Sequence, residues 1–424
     1  MTLKSSQTRK IKNLSIIKKK QIKGESKMSK NNKDNLTSKD VHYFTLQVLG
    51  QLPLVARGAW VKVTDILNVL ILAAAFRTSV NQACAELDGV PCASKVLKEL
   101  TLQLHDIEQQ QKVINQILVS KLPKQLKKKG RRIAIDLVDI PYHGTVKKEH
   151  EGEVRRSKAK SGTTHFFVYA TAYVVYKGYR YTLAMIRVRA EETMVEVLKQ
   201  LLALLKKLGI VVSLLLLDRG FYSVKVIRYL IRQKLPFIMP AIKRGKKPEK
   251  DGGPTGTYQF ATLKSGGWYR YTLTSPTDGK VSFDVAVVCR NYNGSRKRQG
   301  RETFIYATFL VKRYSLNWVK ETYRKRFGIE SSYRQLNQAK IKTCTRNPAL
   351  RLLFYAIALI LRNIWVWLHH QVIAEPRQGT KVYFESQLRF QRLMLWLLLE
   401  VANQYGLICE IFVSHDIYDV FDDL

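Results

Sequence analysis

The spacing of apolar residues changes along the chain, and each spacing predicts a different kind of element. From about Ser38 to Gly130, apolar residues recur at helical intervals, most clearly in VTDILNVLILAAAF and ASKVLKELTLQLHDIEQQQKVINQILVSKL. Beyond the basic stretch KKKGRR, the runs RRIAIDLVDIPYHG, THFFVYATAYVVY and YRYTLAMIRVRA are rich in β-branched and aromatic residues and predict strands. The chain is therefore expected to begin with helices and to continue into a sheet.

A helix and a short apolar run follow these strands. TMVEVLKQLLALLKKLG has helical spacing, and IVVSLLLLDRG reads as a strand that is covered on both faces. SVKVIRYLIRQKL predicts another helix and PFIMPA another strand. This order of elements indicates an α/β core.

Composition changes again after PFIMPA. The loop KRGKKPEKDGGPTG leads into three predicted strands, and helical spacing returns at SLNWVKETYRKRFGIESSYRQLNQ. We divide the chain into a basic disordered tail (1–38), a helical segment that is a candidate for DNA binding (39–128), the first part of the core (129–241), a β-rich insertion (242–302), the second part of the core (303–375) and a C-terminal helical segment (376–424).

The balance of charge points to a polyanionic partner. The sequence has 72 Lys and Arg residues against 33 Asp and Glu residues, which gives a formal net charge of +39. Nucleic acid is the first candidate because neutralising its phosphates releases condensed counterions. An anionic membrane surface is the second. Five separated cysteines without a CxxC pattern support neither disulfides nor a zinc site and fit a reducing cytoplasm.

Two segments each allow two interpretations. SVNQACAELDGVPCASKVLKEL has a helix-turn-helix layout, which predicts either DNA reading in a major groove or plain helical packing. The apolar run from Arg351 to His370 is long enough to cross a membrane, but Arg362 and Asn363 lie near its middle. A central arginine is costly in hydrocarbon, so we favour a buried core helix over a membrane span.

Three carboxylates occupy positions that the predicted core could bring together. Asp136 lies at the end of the predicted apolar strand RRIAID, Asp218 lies at the end of the predicted strand IVVSLLLLD, and Glu330 lies within a predicted helix. Carboxylate oxygens suit Mg²⁺, and two such ions can activate one oxygen of a reacting phosphate group and stabilise the leaving one. Asp139 is an alternative to Asp136, but positions three apart in a strand face opposite sides, so we expect only one of them at the site.

The predicted helix that carries Glu330 adds two further candidates. Tyr323, Arg326 and Glu330 follow spacings of three and four residues, so their side chains share one helix face. A guanidinium can bind a phosphate through two hydrogen bonds, and a phenol can add one more. Tyr323 and Arg326 are therefore candidates for holding DNA phosphates, with an ion pair between Arg326 and Glu330 as the structural alternative.

These motifs resemble a known family. DRGFYS, YATFLV and YRKRFGIESSYRQLNQ resemble the insertion-sequence transposases of the IS-four superfamily, whose signature is Tyr-x2-Arg-x3-Glu-x6-Lys. IDLVDIPYHG and RNPALRLLFYAIALILRNIWVWL resemble its ISH-three-like branch. The resemblance extends over roughly residues 130 to 370. It implies an RNase H-like catalytic core with a DDE triad, here Asp136, Asp218 and Glu330, interrupted by a β insertion.

The resemblance also implies a function and its partners. Members excise an element and join its 3′ ends to target DNA, usually as dimers. We therefore expect a cytoplasmic, nucleoid-associated DNA transposase that uses two Mg²⁺ ions, which Mn²⁺ can replace. We expect double-stranded DNA and a second copy of the chain as partners, without a membrane or a small-molecule cofactor. An RNase H-like nuclease, an inactive end-binding protein and a basic membrane-associated protein are the alternatives.

The chain departs from the signature at its last position. Asn337 stands where the family has lysine, while Lys340 and Lys342 lie close by and are candidates for reaching a phosphate. Trp268 is a candidate for stacking on an extruded base, with a place in the sheet core as the alternative. His143 is interpreted as a turn residue rather than a proton shuttle.

Overall fold

Six helices come first along the described part of the chain, and the described strands follow them. The computed structural model describes residues 35–57, 61–176, 180–247, 252–293, 299–377, 380–382 and 387–410, so nearly all of the predicted basic tail lies outside the described residues. The residues from Ser38 onwards belong to one compact unit. Before the first strand, the described helices are α1 (Ser38–Leu49), α2 (Val63–Ala75), α3 (Val80–Ala85), α4 (Ala93–Gln103), α5 (Ile107–Ser120) and α6 (Lys124–Lys128).

Five strands form the first half of a mixed sheet. They are β1 (Arg131–Pro141), β3 (Thr163–Val174), β4 (Thr182–Val188), β5 (Val212–Leu217) and β6 (Phe237–Pro240), arranged side by side as β4–β3–β1–β5–β6. β3 is antiparallel to both β1 and β4, whereas β1, β5 and β6 are parallel. Short β2 (Arg155–Lys160) pairs with the start of β3. This half of the sheet thus has three antiparallel strands, β4, β3 and β1, followed by two strands parallel to β1.

Three long antiparallel strands extend the same sheet beyond β6. They are β7 (Gly267–Ser275), β8 (Gly279–Asn293) and β9 (Gln299–Phe309), in the order β6–β9–β8–β7. The segment predicted as a β-rich insertion, 242–302, therefore contributes strands to the sheet that also contains the core strands. The sequence-based domain boundaries stay predictions.

Helices cover the sheet and complete the chain. They are α7 (Met194–Lys207), α8 (Val224–Arg232), α9 (Leu316–Arg324), α10 (Gly328–Leu336), α11 (Pro348–Leu368) and α12 (Phe390–Tyr405), and a two-stranded ribbon of β10 (Glu375–Arg377) and β11 (Thr380–Val382) precedes α12. Thr193 begins α7 with a capping box in which Glu196 bonds back to the Thr193 N–H. Asn347 caps α11 and Pro348 occupies its first turn, where a missing N–H costs nothing.

The long apolar helix α11 lies inside the protein. Pro348–Ile373 is apolar and long enough to cross a membrane, but 94% of its most apolar window is buried by the rest of the chain. Arg362 in its middle is fully buried and donates hydrogen bonds to the carbonyl of Arg180, to Gln335 and to the Tyr173 hydroxyl. This confirms the interpretation of the run as a core helix. With its mixed sheet and flanking helices, the structure also confirms the predicted α/β fold class.

Candidate active site

The register between β1 and β5 places two aspartates side by side. Ile135 pairs with Leu217, so Asp136 and Asp218 each follow a member of the same residue pair. The three residues before Asp136 and the four before Asp218 are apolar, and Leu215, Leu216 and Leu217 are completely buried. Because the strands are parallel and matched in register, the two carboxylates emerge at the same level of the sheet.

The prediction that Asp136 ends its strand was wrong. Asp136 does not end its strand, because β1 continues to Pro141. The strand continues because its other neighbour, β3, pairs with it as far as the Pro141–Phe166 pair. The parallel partner β5 ends at Leu217, so one edge of β1 becomes free at Asp136. The site thus lies where a parallel neighbour ends, not where the strand ends.

Glu330 approaches from α10, which a tight turn joins to α9. The sequence predicted one helix here, but Lys325–Phe327 forms a 3₁₀ turn between the two α-helices. Ile329 of α10 is buried in the same apolar cluster as Val319 and Tyr323 of α9. This packing fixes the turn above Asp136 in β1 and the end of β5. Arg326, at the centre of the turn, therefore points towards the aspartates.

The guanidinium of Arg326 contacts all three carboxylates. Its Nη1 lies 3.3 Å from Oδ2 of Asp136, and its Nη2 lies 3.5 Å from Oδ1 of Asp218 and 3.3 Å from Oε1 of Glu330. The Arg326 side chain is only 6% exposed, while those of Asp218 and Glu330 are 41% and 46% exposed. One buried cation is thus surrounded by three anions that remain partly open to solvent.

The pKa values reflect this excess of negative charge. Burial is the largest influence on the Asp136 carboxyl, and together with the nearby Asp218 and Glu330 carboxylates it outweighs Arg326 and raises the pKa of Asp136 to about 6. Burial disfavours the charged form of Arg326, but the neighbouring Tyr323, Asp136 and Asp218 outweigh burial and raise its pKa. Arg326 is therefore a permanent cation, and it does not fully compensate the three carboxylates.

Tyr323 faces the same centre but from within the core. Its hydroxyl donates a hydrogen bond to the carbonyl of Leu217, directly before Asp218, over 3.3 Å. Its ring packs against Tyr306 and lies 5.5 Å below the guanidinium carbon of Arg326. Tyr323 is 5% exposed, and burial raises its pKa. In this structure it connects the Arg326 turn to the end of β5, and the predicted phosphate contact remains a prediction.

The alternative carboxylate, Asp139, lies outside this cluster. It accepts a hydrogen bond from Lys160 Nζ at 2.7 Å, on strand β2. Asp139 and Lys160 also line a cavity of about 470 Å³. The opposite facing of positions 136 and 139 agrees with these separate contacts, and Asp136 is the one that joins Asp218 and Glu330.

The remaining predicted residues lie around the cluster. Lys340 and Asn337, which occupies the signature lysine position, line the same 470 Å³ cavity as Asp139. Trp268 is partly buried in β7 and packs against the apolar cluster that contains Tyr323, which is the core position weighed as its alternative. His143 is exposed in the turn after β1. None of these side chains takes part in the contacts of Arg326 with the carboxylates.

The donor set is suitable for a hard divalent cation. Carboxylate oxygens are the ligands that Mg²⁺ and Mn²⁺ prefer, and the three carboxylates exceed the single positive charge beside them. Among the described residues, no group of three or more His, Cys, Asp or Glu side chains is close enough to share one ion. In this structure the guanidinium of Arg326 contacts each of the three carboxylates.

A second layer behind the site was missed by the sequence analysis. The Tyr173 hydroxyl hydrogen-bonds to Ser332, two residues after Glu330 in α10, and Arg362 donates to the same hydroxyl. Arg362 also donates to Gln335 of α10. The only signal in the sequence was a charged residue in the middle of an apolar helix, which was weighed against membrane insertion and not connected to the site.

Comparisons with known proteins give the family of the chain. The model of the family described as "Transposase DDE domain" matches residues 127–364, more than half of the chain, and this span contains Asp136, Asp218 and Glu330. A comparison with curated proteins gives no match. Among solved structures, the cryo-EM structure of the piggyBac transposase synaptic complex with hairpin DNA is similar, with 12% identity and a TM-score of 0.47 over 95% of this chain and 79% of that one. On the family match, the chain belongs to the DDE transposases, enzymes that cleave DNA strands and transfer them during transposition.

Proposed function

We propose that the protein is the transposase of an insertion sequence of the IS-four superfamily, in its ISH-three-like branch, with Asp136, Asp218 and Glu330 as its catalytic carboxylates. The observation that carries the proposal is their convergence on the guanidinium of Arg326, although they are separated in the sequence by three helices, several strands and the β-rich segment. Tyr323, Arg326 and Glu330, which follow the spacing of the superfamily signature, all belong to this cluster.

The three carboxylates would hold two divalent ions, Mg²⁺ or Mn²⁺. When bound, these ions would activate the attacking oxygen and stabilise the leaving oxygen of a DNA phosphodiester. The chain itself holds the carboxylates in position: β1 and β5 fix the two aspartates in register, and α10 brings Glu330 over them. The carboxylates of Asp218 and Glu330 are exposed enough to bind ions that enter from solvent.

Arg326 has a double role in this proposal. Its guanidinium contacts all three carboxylates, and it would also donate to a phosphate group held against them, since a guanidinium can bind a phosphate through two hydrogen bonds. Tyr323 positions the turn that carries it. Lys340 is exposed on the neighbouring cavity and would contact the DNA backbone in place of the signature lysine, whose position Asn337 occupies.

The wider setting follows from the same assignment. The protein would act on duplex DNA as a homodimer, joining element ends to target DNA in the cytoplasm, in association with the nucleoid. Its net charge of +39 supports a large polyanion such as DNA as its partner. Trp268 as a base-stacking residue has less support, because its ring packs against the core cluster.

The experiment compares carboxylate variants on a DNA substrate that carries an element end. Asp136→Asn, Asp218→Asn and Glu330→Gln should each abolish strand cleavage while end binding stays close to wild type, because phosphate contacts by Lys and Arg supply the binding energy. Asp139→Asn is the matched control and should cleave normally. Cleavage by the Asp136 variant together with loss in the Asp139 variant would contradict the assignment, and cleavage without joining would favour a nuclease.

A further inference from the structure

A strongly basic surface lies away from the three carboxylates. A groove of about 890 Å³ opens where the parallel strands β1, β5 and β6 begin, and Gly130, Ser213 and Pro236 form its edge there. Its other wall comes from the segment after β9 and from the turn between α9 and α10. Ligand sites in sheets of parallel strands are usually at the opposite, carboxyl ends, where Asp136 and Asp218 lie.

The groove collects positive charge without any compensating acid. No Asp or Glu is among the described residues that line it, and six cationic residues are: Arg131, Arg132, Arg180, Arg313, Arg324 and Lys325. Arg324 has an ion pair with Glu321 outside the groove. Within the described part of the chain, Arg132, Arg180, Arg313 and Lys325 have no ion pair at all. Such a concentration of unpaired cations is costly unless a polyanion binds there.

Two of the arginines are held by an aromatic column. Tyr314 and Trp318 stack with their ring centroids 3.8 Å apart. The guanidinium of Arg313 lies over Tyr314 at 5.0 Å, and that of Arg132 lies over Trp318 at 5.2 Å. The order along the column is therefore arginine, tyrosine, tryptophan, arginine. Cation–π contacts fix both guanidinium planes before any ligand arrives.

The column also indicates which part of a nucleic acid the groove accepts. The two rings cover one face of each other and each has a guanidinium close to it, so they do not form an open aromatic platform for successive bases. Nη2 of Arg313 donates to the Tyr314 hydroxyl at 3.1 Å. The other N–H groups of the two guanidinium groups can bind a ligand, and their fork geometry matches the oxygens of a phosphate. Single-strand binding surfaces instead offer free aromatic faces to successive bases.

We propose that this groove binds the phosphate backbone of duplex DNA at a second site, separate from the carboxylate cluster. The proposal relies on the chain being a DNA transposase but not on which carboxylates are catalytic. The turn Lys325–Phe327 connects the two sites: Arg326 faces the carboxylates, while Lys325 and Phe327 line the groove. DNA that continues past the cleavage position could therefore be held from the other side of the same turn.

The test measures binding of a fluorescent duplex by anisotropy at several salt concentrations, in EDTA so that no cleavage occurs. Arg132→Gln combined with Arg313→Gln removes both column arginines. Each lost phosphate contact lowers the slope of log affinity against log salt by about 0.9, so we expect a slope shallower by about 1.8. The control Lys206→Gln with Arg232→Gln removes the same charge from exposed positions on α7 and α8 and should change the slope much less.

Further variants keep the test informative if the column variant does not fold. Arg180→Gln with Lys325→Gln changes two exposed side chains outside the column and should also lower the slope, even if the column pair disturbs folding. The measurement is made in EDTA without cleavage, so its outcome does not depend on which carboxylates are catalytic, and this separates the proposal from their assignment. Equal slopes for the groove variants and the control would overturn the proposal. A larger loss for single-stranded than for duplex DNA would overturn it too, because bases would then be the ligand.

Discussion

Arg326 shows how one residue can connect three distant parts of the chain. As an exposed pair with Glu330 alone, one helical turn apart, it would contribute only about 0.3–0.5 kcal/mol. The structure instead buries it and gives it Asp136 and Asp218 as further partners. A buried guanidinium without these partners would be strongly destabilising, so its contacts decide where the carboxylates lie.

Arg326→Lys separates charge from geometry. A lysine keeps the positive charge, but its single ammonium group cannot span three carboxylates or bind a phosphate through two parallel hydrogen bonds. We expect a folded protein whose single-turnover cleavage rate falls by on the order of a hundredfold, the loss typical of a missing transition-state donor. A cleavage rate near that of wild type would show that Arg326 is only a structural charge.

Asp136, Asp218 and Glu330 could be predicted from the sequence, whereas their contacts could not. Asp218 follows an apolar run that reads as a buried strand, and Glu330 lies four residues from Arg326. The sequence could not reveal that Arg326 reaches Asp136, because that contact spans 190 residues and depends on how α9 and α10 pack on the sheet. For the same reason, the inward direction of the Tyr323 hydroxyl was not predicted.

At the scale of elements, α11 supports α10 from behind. Arg362 is fully buried, and burial lowers its pKa, so its three hydrogen bonds must offset a large desolvation cost. Two of its acceptors, Gln335 and the Tyr173 hydroxyl, lead directly to the helix that carries Glu330. Helix α11 therefore positions α10, the helix that carries Glu330, in addition to packing in the core.

Arg362→Lys should weaken this support. Lysine lacks the fork needed to reach the Arg180 carbonyl, Gln335 and Tyr173 together, so buried acceptors lose their partner. We expect the free energy of unfolding to fall by about 2 kcal/mol, with faster amide hydrogen exchange in α10 than in α7. Arg346→Lys, at an exposed position just before α11, is the control. An unchanged free energy of unfolding, with unchanged exchange in α10, would contradict the positioning role.

Element boundaries were less predictable than element types. Periodicity indicated one helix over SLNWVKETYRKRFGIESSYRQLNQ, but the structure has two helices of nine residues joined by the Lys325–Phe327 turn. Helical spacing does not distinguish a continuous helix from one with a short 3₁₀ turn, because both place residues three or four apart on one face. The tighter turn is required by packing, since Val319 and Ile329 belong to the same core cluster.

At the scale of the whole molecule, the site depends on the complete fold. Asp136 and Asp218 come from the first part of the sheet, and Glu330 arrives only after the strands β7, β8 and β9 have extended it. In an unfolded chain, these carboxylates are far apart and offer no common site. A divalent ion that binds them therefore binds the native state alone, and its binding energy adds to the stability of the fold.

This linkage gives a prediction for metal ions that needs no DNA. Mg²⁺ and Mn²⁺ should raise the melting temperature of the wild-type protein, and an ion at about 100 times its dissociation constant adds about 2.7 kcal/mol. Asp136→Asn should lose most of this increase. Ca²⁺ should also raise the melting temperature, because it accepts carboxylate oxygens, but it should not support cleavage, because its looser coordination does not hold the in-line geometry. Cleavage in EDTA, or a melting temperature that no divalent ion changes, would rule out carboxylate-bound metal as the origin of activity.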